Sequence, residues 1–321
     1  MTESTANTAE VEEKSVTPVK RKSMKAAKRL DLIFITAMLV IPCVHWLVFW
    51  LGVNFNSLLM AFQHPATDKL SLINMRSVFA ELSSGSSNLT IAIKNTLMYF
   101  TKDFCMLVFQ LLIAYFFYKK IWGKRAFQVI FYLPSIISAV AMVAVFSNVI
   151  APSGPLGIII QKVGQKFDPE FLVPEFLARS DTASYTIMMY TIWLGWGGNM
   201  LLLGGALARI PLEIVESAKL DGIGTVKEIT HIILPLIWPT VSTILILMMT
   251  GLFTADGPIL LFTECAYSTQ TIGYWIFDLV YNAGRSAYNK VAAAGMVFTA
   301  IGVPIILGFR WLIEKVPTVE Y

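Results

Sequence analysis

The side chains able to make or break bonds are few and scattered along this chain. Cys43, Cys105 and Cys265 lie far apart, in or beside apolar runs, so neither a disulfide framework nor a C-x-x-C metal site follows. Buried free thiols are the expectation. His45, His64 and His231 lack the H-E-x-x-H or His–carboxylate spacing of a metal centre. No Gly-x4-Gly-Lys-Ser/Thr phosphate loop occurs, so no nucleotide site is expected on this chain. Catalysis is not the function class, and the patterned polar residues sit instead in one loop, from Arg209 to Pro235. Pro211 suits the first turn of a helix, Glu213 favours its N-terminal dipole, and Gly222 stands where a left-handed cap would end it. Thr225 with Glu228 three residues later fits a capping box, so a second helix should start there and run on past Pro235.

The elements that hold this loop follow from composition. Of 321 residues, 56% are hydrophobic and only 14% charged, and the mean hydropathy is +0.65. A soluble domain carries about 25% charged residues, so a water-facing surface is excluded and an integral membrane protein is implied. Apolar runs long enough to cross a bilayer lie at 32–53, 91–118, 126–151, 183–208, 234–253 and 291–313. The expected fold is therefore all-α with about six transmembrane helices, and the Arg209–Leu234 loop joins spans four and five. Residues 258–281 are apolar enough to dip into the interface, but Glu264 and Asp278 argue against a seventh crossing. Residues 1–30, acidic and then basic through Lys20, Arg21, Lys22, Lys25, Lys28 and Arg29, read as a disordered tail, and residues 31–321 as the transmembrane domain. The first run is too long for a signal peptide and is read as retained. With six crossings, sixteen Lys/Arg fall on the side of the termini and seven on the other, so both termini and the 209–234 loop are placed in the cytoplasm.

The loop resembles the E-A-A-x3-G-x9-I-x-L-P signature of permease subunits of binding-protein-dependent ABC importers. Glu216, Ala218, Gly222, Ile232, Leu234 and Pro235 match at the family's spacing, with Ser217 in place of the first Ala. Asn95-Thr-Leu, Tyr132-Leu-Pro134, Gly198-Asn-Met and Asp256-Gly-Pro258 are similar to the carbohydrate-uptake branch, and Trp193-Leu-Gly-Trp196 with Gly205-Ala-Leu to the large permease of maltose-type importers. The resemblance implies a coupling helix, Glu216, Ser217, Ala218, Asp221 and Gly222, that docks on a cytoplasmic ATPase and relays its closure. It also implies a substrate path past Thr191, Leu194, Gly195 and Gly198 for a sugar such as an oligosaccharide, moved by alternating access. The Asn pair of the maltose permease is replaced by Leu245 and Ile246. Implied partners are a second homologous permease (a heterodimer), two ATP-binding-cassette subunits that hold ATP and Mg, and an extracellular solute-binding protein. The setting is a bacterial plasma (inner) membrane with lipid around the spans and no nucleic acid.

Trp193, Trp196 and Asn199, with Tyr190, offer the aromatic faces and polar group a sugar needs, and equally the aromatic belt of any span. Trp193 and Trp196 are not expected to share a face, because flanking Gly195 and Gly197 loosen the helix there. Gly204 and Ala208 form a small-x3-small pair suited to close packing. Lys102-Asp103 is a candidate intramembrane ion pair, either mutually neutralised or snorkelling outward. A non-sugar cargo remains the alternative within this architecture. The spans lack an arginine clamp for an anion and a carboxylate cluster for a polycation, which favours a neutral cargo. An ion-coupled secondary transporter, which would show internal repeats and several intramembrane carboxylates, is the more distant alternative.

Overall fold

A computed structural model describes residues 24–85, 87–253, 257–264 and 266–316. Lys20, Arg21, Lys22, Asp256 and Cys265 lie outside them. The described chain is nearly all helical, with one isolated bridge between Gln63 and Leu70. It falls into two compact units, the described residues up to Asn56 and those from Ser57 onward.

In the first unit a helix is already formed at Met24, so the last residues of the basic tail are helical and the 30/31 boundary is no break. Helical structure, α1 (Lys28–Ala61), continues through a π-helical stretch, Trp46–Gly52, and ends within the second unit. From Lys28 to Asn56 every side chain is exposed, although most are apolar. Its polar groups turn onto its own backbone, Thr36 Oγ1 donating to Leu32 O at 2.7 Å and Asn54 Nδ2 to Trp50 O at 2.6 Å. That is how a helix meets hydrocarbon, where every polar group must be satisfied internally.

The second unit contains α2 (Ile73–Ser83), α3 (Asn88–Tyr118), α4 (Lys124–Ile136), α5 (Ala139–Ile150), α6 (Pro155–Gly164), α7 (Ala183–Gly195), α8 (Met200–Leu207), α9 (Leu212–Leu220), α10 (Thr225–Thr250), α11 (Ile259–Phe262), α12 (Ile272–Ala283) and α13 (Tyr288–Glu314). Helix α3 is the spine, packed along α7, α8, α10 and α12. Ser87 starts it, its Oγ accepting from Thr90 N at 3.2 Å. One apolar core, around Leu107, Leu203, Leu207, Ile233 and Ile237, joins α3, α8 and α10; a second, around Val78, Leu89, Trp275, Ala293 and Phe298, joins α2, α3, α12 and α13. Asn95 bridges α3 to the irregular segment before α12, donating to Ser268 O at 2.8 Å and Gln270 O at 2.9 Å, and Thr96 Oγ1 accepts from Ile272 N at 2.9 Å. Backbone outside helices is tolerated at membrane depth when such side chains satisfy it.

Among the described residues, five helical stretches are long and apolar enough to cross a membrane: Lys28–Ala61, Asn88–Tyr118, Ala139–Gly164, Thr225–Thr250 and Tyr288–Glu314. The expected third span, 126–151, is two helices, because Ile137 and Ser138 adopt extended ψ values of 148° and 134° after Pro134. The apolar stretch that follows turns at 151–154 between α5 and α6. The expected fourth span, 183–208, is also broken, with turn geometry at 196–199 between α7 and α8. The fifth begins at Thr225 rather than 234, since helix and a π-helical stretch, Ile229–Ile233, run continuously into Leu234. Among the described residues, 258–281 hold the short α11, a 3-10 turn at Ala266–Ser268 and most of α12. Cys43 and Cys105 are exposed on this chain rather than buried, because the spans turn much of their apolar surface outward.

Candidate functional site

The loop between α8 and α10 forms a short rigid helix with a turn. In α9, Val215 is buried in the α3–α8–α10 core and Ala218 is buried as well, while Glu213, Glu216, Ser217 and Leu220 are exposed. Asp221 and Gly222 are exposed beyond the helix end, where Gly222 takes φ +72° and Ile223 N donates to Ala218 O at 3.2 Å. This is the left-handed termination that glycine supplies at no steric cost. Ser217 Oγ donates to Ile214 O at 3.0 Å, so the extra hydroxyl satisfies itself within α9. Leu220, 89% exposed, and Glu216, with no ion pair among the described residues, give α9 an outward face with an apolar and an acidic group.

The Thr225–Glu228 capping box does not form. Gly224 takes the N-cap position without a side-chain bond, and Glu228 turns inward. It is buried and ion-paired with Lys119 at the end of α3, and the Lys119 ammonium also lies 5.4 Å from the Tyr115 ring centroid. A buried carboxylate needs a cation more than an exposed helix end needs a reciprocal cap, because unpaired burial of charge is the larger cost. Tyr115, Lys119, Gly224, Thr225 and Glu228 surround a recess of about 370 Å³ where the loop meets α3.

The second group of residues lies at the break between α7 and α8. Ending α7 at Gly195 leaves its carbonyl with a long turn bond from Gly198 N at 3.3 Å, and Gln110 of α3, itself buried, donates Nε2 to it at the shorter distance of 2.7 Å. Asn199 Nδ2 donates to Gln110 Oε1 at 3.0 Å, so one glutamine holds both sides of the break. Gly197 is buried so closely that an added Cβ would stand 2.8 Å from Phe131 O. The two tryptophans face different neighbours. Trp196 packs against Phe131 and Phe109 at 5.8 and 6.3 Å, and Trp193 against Phe146 and Tyr190 at 6.0 and 6.2 Å. Leu194 goes with Trp193 toward α5, Thr191 Oγ1 donates to Met188 O at 2.7 Å, and Gly198 is exposed. The sequence-derived path residues are thus split between two faces of α7 rather than gathered on one.

Trp196 opens onto a groove of about 760 Å³ between α3 and α7, whose α3 wall includes Lys94, Thr101, Lys102 and Phe109. Lys102 pairs with Asp103 at 2.5 Å, its side chain 11% exposed against 49% for the aspartate. Gln110, Lys119 and Glu228 were not singled out as site residues from sequence. Their partners are remote in the chain, and only the isolated charge of Glu228 beside an apolar run carried a signal.

The family model described as a binding-protein-dependent transport system inner membrane component matches residues 106–316. The multiple sugar-binding transport system permease protein MsmF of Streptococcus mutans is 26% identical over 206 residues, covering 64% of this chain and 69% of that protein. The maltodextrin transport system permease protein MdxF of Bacillus subtilis is 31% identical over 200 residues, covering 57% of this chain and 45% of that one. A chain of a bacterial alginate ABC transporter, solved in complex with an alginate pentasaccharide-bound periplasmic protein, superposes with a TM-score of 0.69 at 25% identity, covering 89% of this chain and 94% of that chain.

Proposed function

Because the chain belongs to the family of binding-protein-dependent transport system inner membrane components, we propose that it is the permease subunit of an ATP-driven ABC importer for a sugar, an oligosaccharide in particular. It forms half of the translocation path in a bacterial inner membrane, with α7 and α8 together making the sixth crossing and both termini in the cytoplasm. The observation that carries this reading is α9: a nine-residue helix with a buried edge, an exposed acidic and apolar face and a left-handed glycine end. Such a helix moves as one body. Glu216, Ser217, Ala218, Asp221 and Gly222 form the contact with a cytoplasmic ATPase, and closure of that ATPase shifts α9 and with it α10.

ATP and Mg belong to two ATP-binding-cassette partners, since this chain has no phosphate loop. A second homologous permease completes the path, and a solute-binding protein delivers cargo from outside, as the periplasmic protein accompanies the alginate transporter. Relatives named for sugars and maltodextrin support the cargo class. The broken α7–α8 helix is the element we assign to the path, with Thr191, Trp193, Leu194, Gly195, Trp196, Gly198 and Asn199 on it.

The test is purification of this chain from its native membrane in mild detergent. Co-purification with an ATPase subunit and a second six-span protein is expected, together with ATP hydrolysis stimulated by loaded binding protein. Glu216→Lys is expected to leave the chain in the membrane while abolishing that stimulation. Recovery of this chain alone, or full stimulation in the variant, overturns the reading.

A further inference from the structure

We propose that Lys119 and Glu228 are positioning residues: their ion pair passes the displacement of α9 on to α3 and, through Gln110, to the break between α7 and α8. The proposal rests on the permease reading and adds the route by which a cytoplasmic contact reaches the broken helix.

Glu228 stands in the first turn of α10, just beyond the Gly222 turn that ends α9, and its pair with Lys119 joins that point to the residue that follows α3. Gln110 lies on the same helix as that end, about 14 Å away at 1.5 Å per residue, and bonds Gly195 O and Asn199 on the two sides of the break. A continuous helix between the two points moves as a rigid element.

The backbone offers no equally stiff route. From α9 into α10 it passes Gly222 at φ +72°, then Gly224, then the π-helical stretch Ile229–Ile233. Glycines are conformationally permissive, and a π-helical turn is a local departure from the α-helical ladder. Ile229 and Ile233 share one core with Ala114 and Tyr115 of α3, but apolar contacts have no direction and allow sliding. The ion pair does have direction. Glu228 keeps only 6% side-chain exposure, so parting it from Lys119 would strand a buried charge, and a shift of α10's first turn takes the end of α3 with it. Stability alone does not call for charge here, since packed apolar side chains of similar volume commonly hold two segments as firmly as a buried pair. Both residues border the recess of about 370 Å³, which leaves the pair room to swing while it stays closed.

The experiment uses the complex purified with its ATPase subunits and reads amide exchange at 195–200 before and after trapping with Mg-ATP and vanadate, so the cargo need not be known. Trapping is expected to change that exchange at least about fivefold in the native chain. The Lys119→Met/Glu228→Gln variant is expected to keep most of its heat tolerance and to trap nucleotide normally, yet to lose the exchange response, while Lys119→Arg retains it. A pair that only stabilised the fold would not separate trapping from the response at 195–200. A full response in the double variant, failure of that variant to fold, or no response in the native complex overturns the inference while leaving the permease reading in place. Failure of the chain to co-purify with any ATPase overturns the permease reading and this inference with it.

Discussion

Replacing Gly222 by alanine isolates the contribution of one backbone angle to coupling. At φ +72° an L residue is strained by about 1–2 kcal/mol, and because nothing lies within 4 Å of the Cβ position no steric clash adds to it. The α9 end must then either carry that strain or relax and misdirect the helix. A strain of this size changes the population of the docked geometry by a factor of about 5–30. Gly222→Asn should fall between, since asparagine tolerates the left-handed region better. Gly224→Ala is the control, because Gly224 takes φ −74° and ψ 157° and also has open space around it. The assay is titration of the detergent-purified permease with its ATPase subunit, followed by sugar moved per ATP hydrolysed in proteoliposomes. Apparent affinity is expected to fall about 5–30-fold for alanine, less for asparagine, and not at all for Gly224→Ala, with unchanged amounts of permease in the membrane. Equal behaviour of Gly222→Ala and Gly224→Ala would refute the reasoning.

Lys119→Met strands Glu228, whose side chain is 6% exposed, and is expected to cost roughly 2–4 kcal/mol, less than a fully buried pair because Lys119 keeps 21% exposure. The Lys119→Met/Glu228→Gln double variant should recover most of the heat tolerance seen by size-exclusion after warming; no recovery means the two groups are not coupled. Gln110→Leu removes the shorter of two bonds to Gly195 O, leaving the 3.3 Å one from Gly198 N, and the acceptor for Asn199, at about 1–2 kcal/mol. Amide exchange at 195–200 should rise in that variant, and unchanged protection would show that the break is held by something else. Gly197→Ala pushes a methyl to 2.8 Å from Phe131 O and 3.1 Å from Tyr132 Cδ1, which is expected to lower stability by about 1–3 kcal/mol, whereas Gly204→Ala meets open space in the isolated chain and should leave its thermal stability unchanged.

Local patterns in the sequence determined the membrane class, most of the apolar stretches and the helix-and-turn form of the 209–234 loop. Charge-free runs of bilayer length are a property of consecutive residues, and so is the Pro211-to-Gly222 pattern that starts and stops α9. Gly222 was legible because the backbone conformation it supplies depends on that residue alone. The helix breaks were not legible in the same way. Residues 126–151 and 183–208 read as uninterrupted, because nothing in an apolar run says where a distant side chain will offer a hydrogen bond. Pro134 and the glycines from Gly195 to Gly198 weakened the helices; Gln110, 85 residues from Gly195, satisfies the carbonyl exposed where the second one breaks.

Glu228 fitted a cap by its spacing from Thr225, yet the folded chain gives it Lys119, more than a hundred residues away, and burial makes that partner decisive. That Trp193 and Trp196 face apart is expected from their spacing, but which aromatic cluster each joins, and the meeting of Lys94 with Trp196 across one groove, depend on how α3, α5 and α7 pack. Sequence determined which residues are costly to leave unpaired in a membrane. Only the tertiary structure decided what pairs with them, because the energy of a buried charge or an orphaned carbonyl is set by neighbours that chain order does not reveal.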